Sequence, residues 1–211
     1  MRGAIFDVDG TLLDSMQVWW DVLIDFFAVH GRKLTDEEAM KYKEITLEES
    51  IPMICEELCL DMSCDEMEED LKRMAAKQYE SVIPLKDGAA EYLKQLKNEG
   101  VKIAIATSGY EELCKKAFTR LGVWEYIDAC ALSSEVGVNK SNPDVYLLAA
   151  KRIGVPPGEC TVFEDILTGI SGAKKGGFNT VAVYDESSAD AAEDLKRQAD
   201  FYITGWRELL K

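Results

Sequence analysis

Beyond Pro84 the hydrophobic pattern switches repeatedly between two periods. Short, mostly apolar runs at 101–106, 129–132, 160–163 and 180–184 read as strands. Around them, apolar residues recur at spacings of three and four over 87–99, 110–121, 143–153 and 168–175, which predicts helices. Strands without polar alternation, joined by helices, predict a parallel sheet covered on both faces. Gly100, Gly122, Gly154 and Gly177 each stand between a predicted helix and the next strand, where a left-handed helix cap is expected. A helix near 189–199, a short Phe201-Tyr202-Ile203 strand and a helix at 205–210 complete one sheet edge. One more apolar run, Ala4 to Phe6, opens the chain as its first strand.

Between that strand and Pro84 the pattern is helical throughout. Met16, Trp19, Trp20, Leu23, Phe26 and Phe27 repeat at three and four, predicting a helix to about Val29 with Gly31 after it. Thr35-Asp36-Glu37-Glu38 reads as a helix start, Thr46-x-x-Glu49 as a capping box, and 63–79 as a further helix with an acidic beginning. The expected architecture is α/β: a doubly wound parallel-sheet core from residues 1–14 and 84–211, with an all-helical domain inserted at 15–83. The 211 residues accommodate both, at ~150 residues per domain.

Charge narrows the function classes. The formal net charge is -15, and residues 15–83 hold 17 acidic against 7 basic side chains. Such a surface disfavours nucleic acid and anionic membranes as partners and leaves small substrates open. No apolar run approaches the ~20 residues of a spanning helix. Met1 leads straight into the first strand, leaving no room for a signal peptide. Cysteines 55, 59, 64, 114, 130 and 160 follow no paired zinc spacing; the first three are the nearest to a cluster, with no histidine beside them. A reduced, cytoplasmic, monomeric protein is expected.

The chemistry begins at Gly3-Ala-Ile-Phe-Asp-Val-Asp-Gly-Thr-Leu-Leu13. Strand geometry sets Asp7 and Asp9 on one face, and two unpaired carboxylates so close call for a cation. An oxygen-only site suits magnesium. Alone, Asp-x-Asp reads equally well as a solvated acidic turn. Ligands in open parallel sheets bind beyond the carboxyl ends of the strands, so the residues following each strand are informative. Thr107 and Ser108 follow 103–106, Lys140 precedes Pro143, and Glu164 and Asp165 follow Val162-Phe163. Individually these fit a helix cap, a surface lysine and an N-cap. Together they assemble acidic metal ligands, a hydroxyl and amides, and an ammonium, the inventory of phosphoryl transfer.

These residues resemble, in order and character and along the whole chain, the four motifs of the haloacid dehalogenase-like hydrolase superfamily. The resemblance implies a phosphatase for a small phosphorylated metabolite. By it, Asp7 corresponds to the nucleophile and Asp9 to the acid/base; Thr107 with the Ser108 amide holds phosphate, and Lys140 neutralises the reacting oxygens. Magnesium would be held by Asp7, the Asp9 main-chain oxygen, Glu164 and Asp165. A dehalogenase is disfavoured, because that branch lacks the second aspartate. Relatives often read Lys-Pro-x-Pro-Asp where this chain has Lys140-Ser-Asn-Pro-Asp144, which raises a question of loop stiffness. The helical block sits where the phosphoglucomutase-like branch inserts its cap, with Met16, Trp19, Trp20, Lys43, Glu44 and Lys77 as candidate substrate contacts; Trp19 and Trp20 also fit the apolar stripe. A β-phosphoglucomutase-like mutase is the alternative activity. Against it, Trp19 fills the place of the mutase histidine, Leu47 that of its arginine, and the single histidine is His30.

Overall fold

The computed structural model describes residues 1–35, 38, 47–58 and 62–211, with 47–49 and 58 described by backbone alone. Two compact units result: Met1–Ser15 with Ile83–Lys211, and Met16–Val82. In the first lie β1 (Gly3–Phe6), β2 (Lys102–Thr107), β3 (Ala129–Leu132), β4 (Cys160–Glu164), β5 (Asn179–Val183) and β6 (Phe201–Ile203). They form a six-stranded sheet in the order β3-β2-β1-β4-β5-β6, and every pairing is parallel. The order reverses between β1 and β4, the switch point at which such sheets bind ligands.

Register sorts the core into two faces. Ile5 lies opposite Ala104 and Val162, and Phe6 opposite Ile105 and Phe163. Alternation sends the two sets to opposite sides. Ile5, Ala104 and Val162 pack with Val145, Tyr146 and Ala149 of the helix Asp144–Ile153 and with Phe178. On the other side Phe6 stacks on Phe163 at 4.6 Å between centroids, and both meet Tyr92 and Trp206. Gly100, Gly122, Gly154 and Gly177 have φ of 74°, 71°, 68° and 79°, the left-handed cap that a Cβ would strain.

The helical unit buries Val22, Leu23, Phe26 and Phe27 of the helix Met16–Val29 and Met67, Leu71, Ala75 and Tyr79 of the helix Cys64–Ser81. Ser63 and Glu66 exchange hydrogen bonds as a capping box, and Thr35 and Glu38 make the same exchange. The expected Thr46 box, Lys43 and Glu44 lie outside the described residues.

Some boundaries differ from the periodicity. Thr107 and Glu164 end β2 and β4 instead of following them. Near the C-terminus the α-helix is confined to Ala192–Gln198, and Glu186–Ala191 and Trp206–Leu209 are 3-10 turns. A short helix, Ser133–Val136, follows β3 with the Glu135 carboxylate returning to the Leu132 N–H at 2.9 Å. Among the described residues no helix is long and apolar enough to cross a membrane.

Candidate active site

The β1–β4 register runs to Phe6 and Phe163, and the Asp7 N–H still bonds the Phe163 carbonyl at 3.0 Å. Asp7 lies two residues beyond Ile5 and Glu164 two beyond Val162, so both carboxylates emerge on the face covered by Asp144–Ile153. Lys140, just before that helix, donates to Asp7 Oδ1 and, at 2.7 Å, to Glu164 Oε1. Tyr146 Oη, from the helix itself, donates to the same Glu164 oxygen at 2.7 Å. Thr11 Oγ1 donates to Asp165 Oδ1 at 2.9 Å, and the Trp206 indole N–H holds the Thr11 carbonyl at 3.2 Å. All of these groups are buried.

After Asp7 the chain coils tightly. The Leu12 and Leu13 N–H groups both bond the Val8 carbonyl, and Gly10 sits at φ 83° with its N–H on the Leu13 carbonyl. A side chain at Gly10 would strain this left-handed turn. The coil brings Ser15 back to Asp9, its hydroxyl donating to Oδ1 at 2.6 Å. Asp9 Oδ2 and Thr107 Oγ1 each lie 3.2 Å from where a Cβ on Gly109 would stand, so the two meet over a glycine. Thr107 Oγ1 accepts the Gly109 N–H at 2.8 Å, and the Ser108 and Ser133 hydroxyls pair at 3.0 Å.

Hydrogen bonds stiffen the Lys140 loop, where Ser141 and Asn142 stand between the lysine and Pro143. Asn139 Oδ1 accepts from the Ser141 N–H and hydroxyl at 3.2 and 2.6 Å, the Asn142 N–H bonds the Asn139 carbonyl, and Lys175 Nζ holds the Ser141 carbonyl at 2.8 Å. Pro143 caps the following helix, whose last turn carries Lys151 and Arg152 beside its negative dipole end.

The electrostatics are unbalanced. Burial raises the Glu164 carboxyl to about 7, with Lys140 opposing and Asp7 reinforcing the rise. Burial, then Asp7 and Glu164, lift Asp165 well above the usual range. Burial works against the Lys140 ammonium, yet Asp7 and Glu164 outweigh it and raise its pKa. Lys140 thus pairs with two acids, Asp7 and Glu164, while each of Asp7, Glu164 and Asp165 offers an oxygen within 4.8 Å of the others. Glu164 Oε2 and Asp165 Oδ2 are buried with no hydrogen-bond partner. Two orphaned carboxylate oxygens in a buried cluster of three acids, an all-oxygen donor set, fit a hard divalent cation such as magnesium.

Asp7, Lys140, Glu164 and Asp165 come together, with Asp9, Thr107 and Ser108 on the same sheet edge. Trp19 is half-buried in the helical unit and donates its indole N–H to Tyr79 Oη at 2.7 Å; Met16 and Trp20 are half-buried and Lys77 exposed. Nothing in the sequence pattern marks Thr11, Ser15, Ser133 or Tyr146 as site residues. Tyr146 lies on the apolar stripe of its helix and reads as core. What could have flagged it is its place three residues past Pro143, on the turn nearest the strand ends.

Residues 4–183 match the family model described as haloacid dehalogenase-like hydrolase. The phosphorylated carbohydrates phosphatase of Thermotoga maritima is 25% identical over 181 residues, covering 86% of this chain and 84% of that protein. A mutant CbbY from Rhodobacter sphaeroides, solved in complex with xylulose-(1,5)bisphosphate, is 25% identical with a TM-score of 0.84, covering 99% and 96% of the two chains. β-Phosphoglucomutase from Clostridium difficile shares the fold at a TM-score of 0.82 and 19% identity, covering 99% and 93%. Because the family match runs from within β1 to the end of β5 and takes in all four groups of residues at the sheet edge, the chain belongs to the haloacid dehalogenase-like hydrolases.

Proposed function

We propose that this protein is a magnesium-dependent phosphatase that hydrolyses a small phosphorylated metabolite through a phosphoryl group carried on Asp7. The observation that carries the reading is the Asp7–Lys140–Glu164 contact beside two buried, unpartnered carboxylate oxygens at the switch-point edge. Asp7 attacks phosphorus, the bond to the leaving oxygen breaks, and Asp9 gives that oxygen its proton. Asp9 then takes a proton from water, whose oxygen attacks phosphorus and frees Asp7 and inorganic phosphate. Lys140 neutralises the Asp7 carboxylate and the phosphoryl oxygens, while the Thr107 hydroxyl and Ser108 amide hold the transferred group. Asp7, the Asp9 main-chain oxygen, Glu164 and Asp165 would hold magnesium, which when bound supplies positive charge to the phosphoryl oxygens.

The likeness to a phosphatase of phosphorylated carbohydrates supports a phosphomonoester substrate. The helical unit is read as the counterpart of the family's cap, with Trp19, Lys43 and Glu44 as candidate substrate contacts, and the protein as a cytoplasmic monomer. The mutase alternative lacks its cations: His30 packs on Phe26 at 4.6 Å between centroids, and no arginine occurs between Arg32 and Arg73. A phosphoryl group on Asp7 is therefore released to water. The test supplies β-glucose 1-phosphate with a trace of the 1,6-bisphosphate, alongside a panel of phosphomonoesters, with magnesium or with chelator. Magnesium-dependent release of phosphate without isomerisation is expected. Undiminished activity in chelator, or fast isomerisation with little phosphate, would overturn the reading.

A further inference from the structure

The two oxygens of Glu164 have unlike surroundings. Oε1 accepts from the Lys140 ammonium and the Tyr146 hydroxyl, each at 2.7 Å, whereas Oε2 is buried and accepts from nothing. Asp165 repeats the arrangement: Thr11 bonds Oδ1, and Oδ2 has no donor. Each acid thus keeps one oxygen tied to protein and one uncommitted.

The terminal torsion of glutamate is broad, so one donor leaves the carboxylate plane poorly fixed. Two donors reaching the same oxygen from different elements fix it. Lys140 is shared with Asp7 and sits on a loop. Tyr146 is on a helix; its ring is fully buried and meets Phe178 edge-on, at 6.2 Å between centroids and 65°. That apolar pocket would hold phenylalanine as well, so the hydroxyl is explained by its bond to Glu164. Across the carboxyl group, the position of a Cβ on Gly169 would be 2.6 Å from Oε2 and 2.7 Å from Oε1, so glycine there leaves the carboxylate its room.

We propose that Tyr146 is a positioning residue: by holding Oε1 it makes Glu164 present a single oxygen, Oε2, to the cation. This rests on the magnesium reading above. Magnesium demands a near-ideal octahedral shell, whereas the more flexible calcium shell takes a carboxylate through one oxygen or both. The Tyr146 hydroxyl therefore biases the site toward magnesium over calcium.

The test is calorimetric titration of the full-length, metal-free protein with magnesium chloride and with calcium chloride, without substrate, for the parent, Tyr146→Phe and Phe178→Leu. Tyr146→Phe keeps the ring, and its magnesium Kd is expected to rise ~10-fold, the lower end for the loss of an outer-shell partner. Its calcium Kd is expected to change far less, so the preference between the ions shrinks. Phe178→Leu loosens the same pocket and is expected to lower the melting temperature with the ion preference unchanged. A parental magnesium-to-calcium ratio in Tyr146→Phe, or an equal shift of the ratio in Phe178→Leu, would overturn the proposal. A parent that binds no magnesium would overturn the metal reading and this proposal with it, whereas parental binding that Tyr146→Phe leaves unaltered would overturn this proposal alone.

Discussion

Gly172, in the helix Leu167–Lys175, faces the loop that carries Lys140. A Cβ at that position would overlap the Lys140 carbonyl oxygen and stand 2.9 Å from the Asn142 carbonyl oxygen, where ordinary contact starts at 3.4 Å. Both obstacles are backbone, and the loop is pinned by the Asn139 turn and by Lys175, so neither yields cheaply. In Gly172→Ala the helix and loop must part by on the order of 1 Å, the scale at which a positioned group loses ~10²-fold in rate. Overpacking costs up to ~3 kcal/mol, and the better helix propensity of alanine returns ~1 kcal/mol. The net loss of ~2 kcal/mol corresponds to a fall of roughly 4–8 °C in melting temperature for a chain of this length. Thermal melts followed by circular dichroism, with steady-state turnover of an aryl phosphate, read both effects. A variant with parental melting temperature and parental turnover would refute the claim that this helix sets the position of Lys140.

Three further outcomes are expected. Gly169→Ala presses on the Glu164 carboxyl, a side-chain end that can move, so it should cost less stability than Gly172→Ala while weakening magnesium binding in the same titration; unchanged affinity would contradict this. Lys140→Met leaves Asp7 and Glu164 without their shared counter-ion and should cost ~3–5 kcal/mol in metal-free protein, read by denaturant unfolding, with parental stability as the opposing result. The third concerns pH. With Glu164 titrating at about 7, the folded state holds a proton between the ordinary carboxyl range and 7 that the unfolded chain releases, so stability rises as pH falls through that window. Asp128, Asp185 and Asp200, held below the usual range, lose their contribution only at lower pH. In chelator the melting temperature should be higher at about pH 5.5 than at about 7.5, and saturating magnesium, which needs the acids ionised, should reduce that gain. An equal or lower value at the acidic pH in chelator would count against the unbalanced cluster.

Much of this molecule is legible in the residue pattern because its core strands are short apolar runs closed by glycine caps. Gly100, Gly122, Gly154 and Gly177 mark helix ends that the left-handed φ values bear out. The acids are legible because they end or follow strands that all run the same way, and Lys140 because it stands just before the Pro143-Asp144 helix start. Pairings made across the fold are not. Tyr146 meets Glu164 because the register of β1 and β4 and the helix between Lys140 and β4 put them on one face, and in the sequence it is simply another large residue on an apolar stripe. Ser133 and Trp206 act on Ser108 and Thr11 from 25 and 195 residues away, separations that periodicity cannot bridge. The 3-10 turns near the C-terminus escape for a different reason: Glu186–Ala191 and Trp206–Leu209 carry helix-compatible residues but too few apolar positions for more than a turn or two to pack.

In the proposed reaction Asp7 carries the phosphoryl group and Asp9 brings the water that removes it. Asp9→Ala should still accept phosphoryl from acetyl phosphate, whose leaving group needs no proton, and then fail to release it. The decisive measurement is acid quenching of Asp9→Ala after exposure to labelled acetyl phosphate and magnesium, followed by peptide mapping. Label approaching one per chain is expected on the peptide containing Asp7, abolished by adding Asp7→Asn. Parental protein that hydrolyses the same donor while Asp9→Ala stays unlabelled, or label on any other residue, would contradict it.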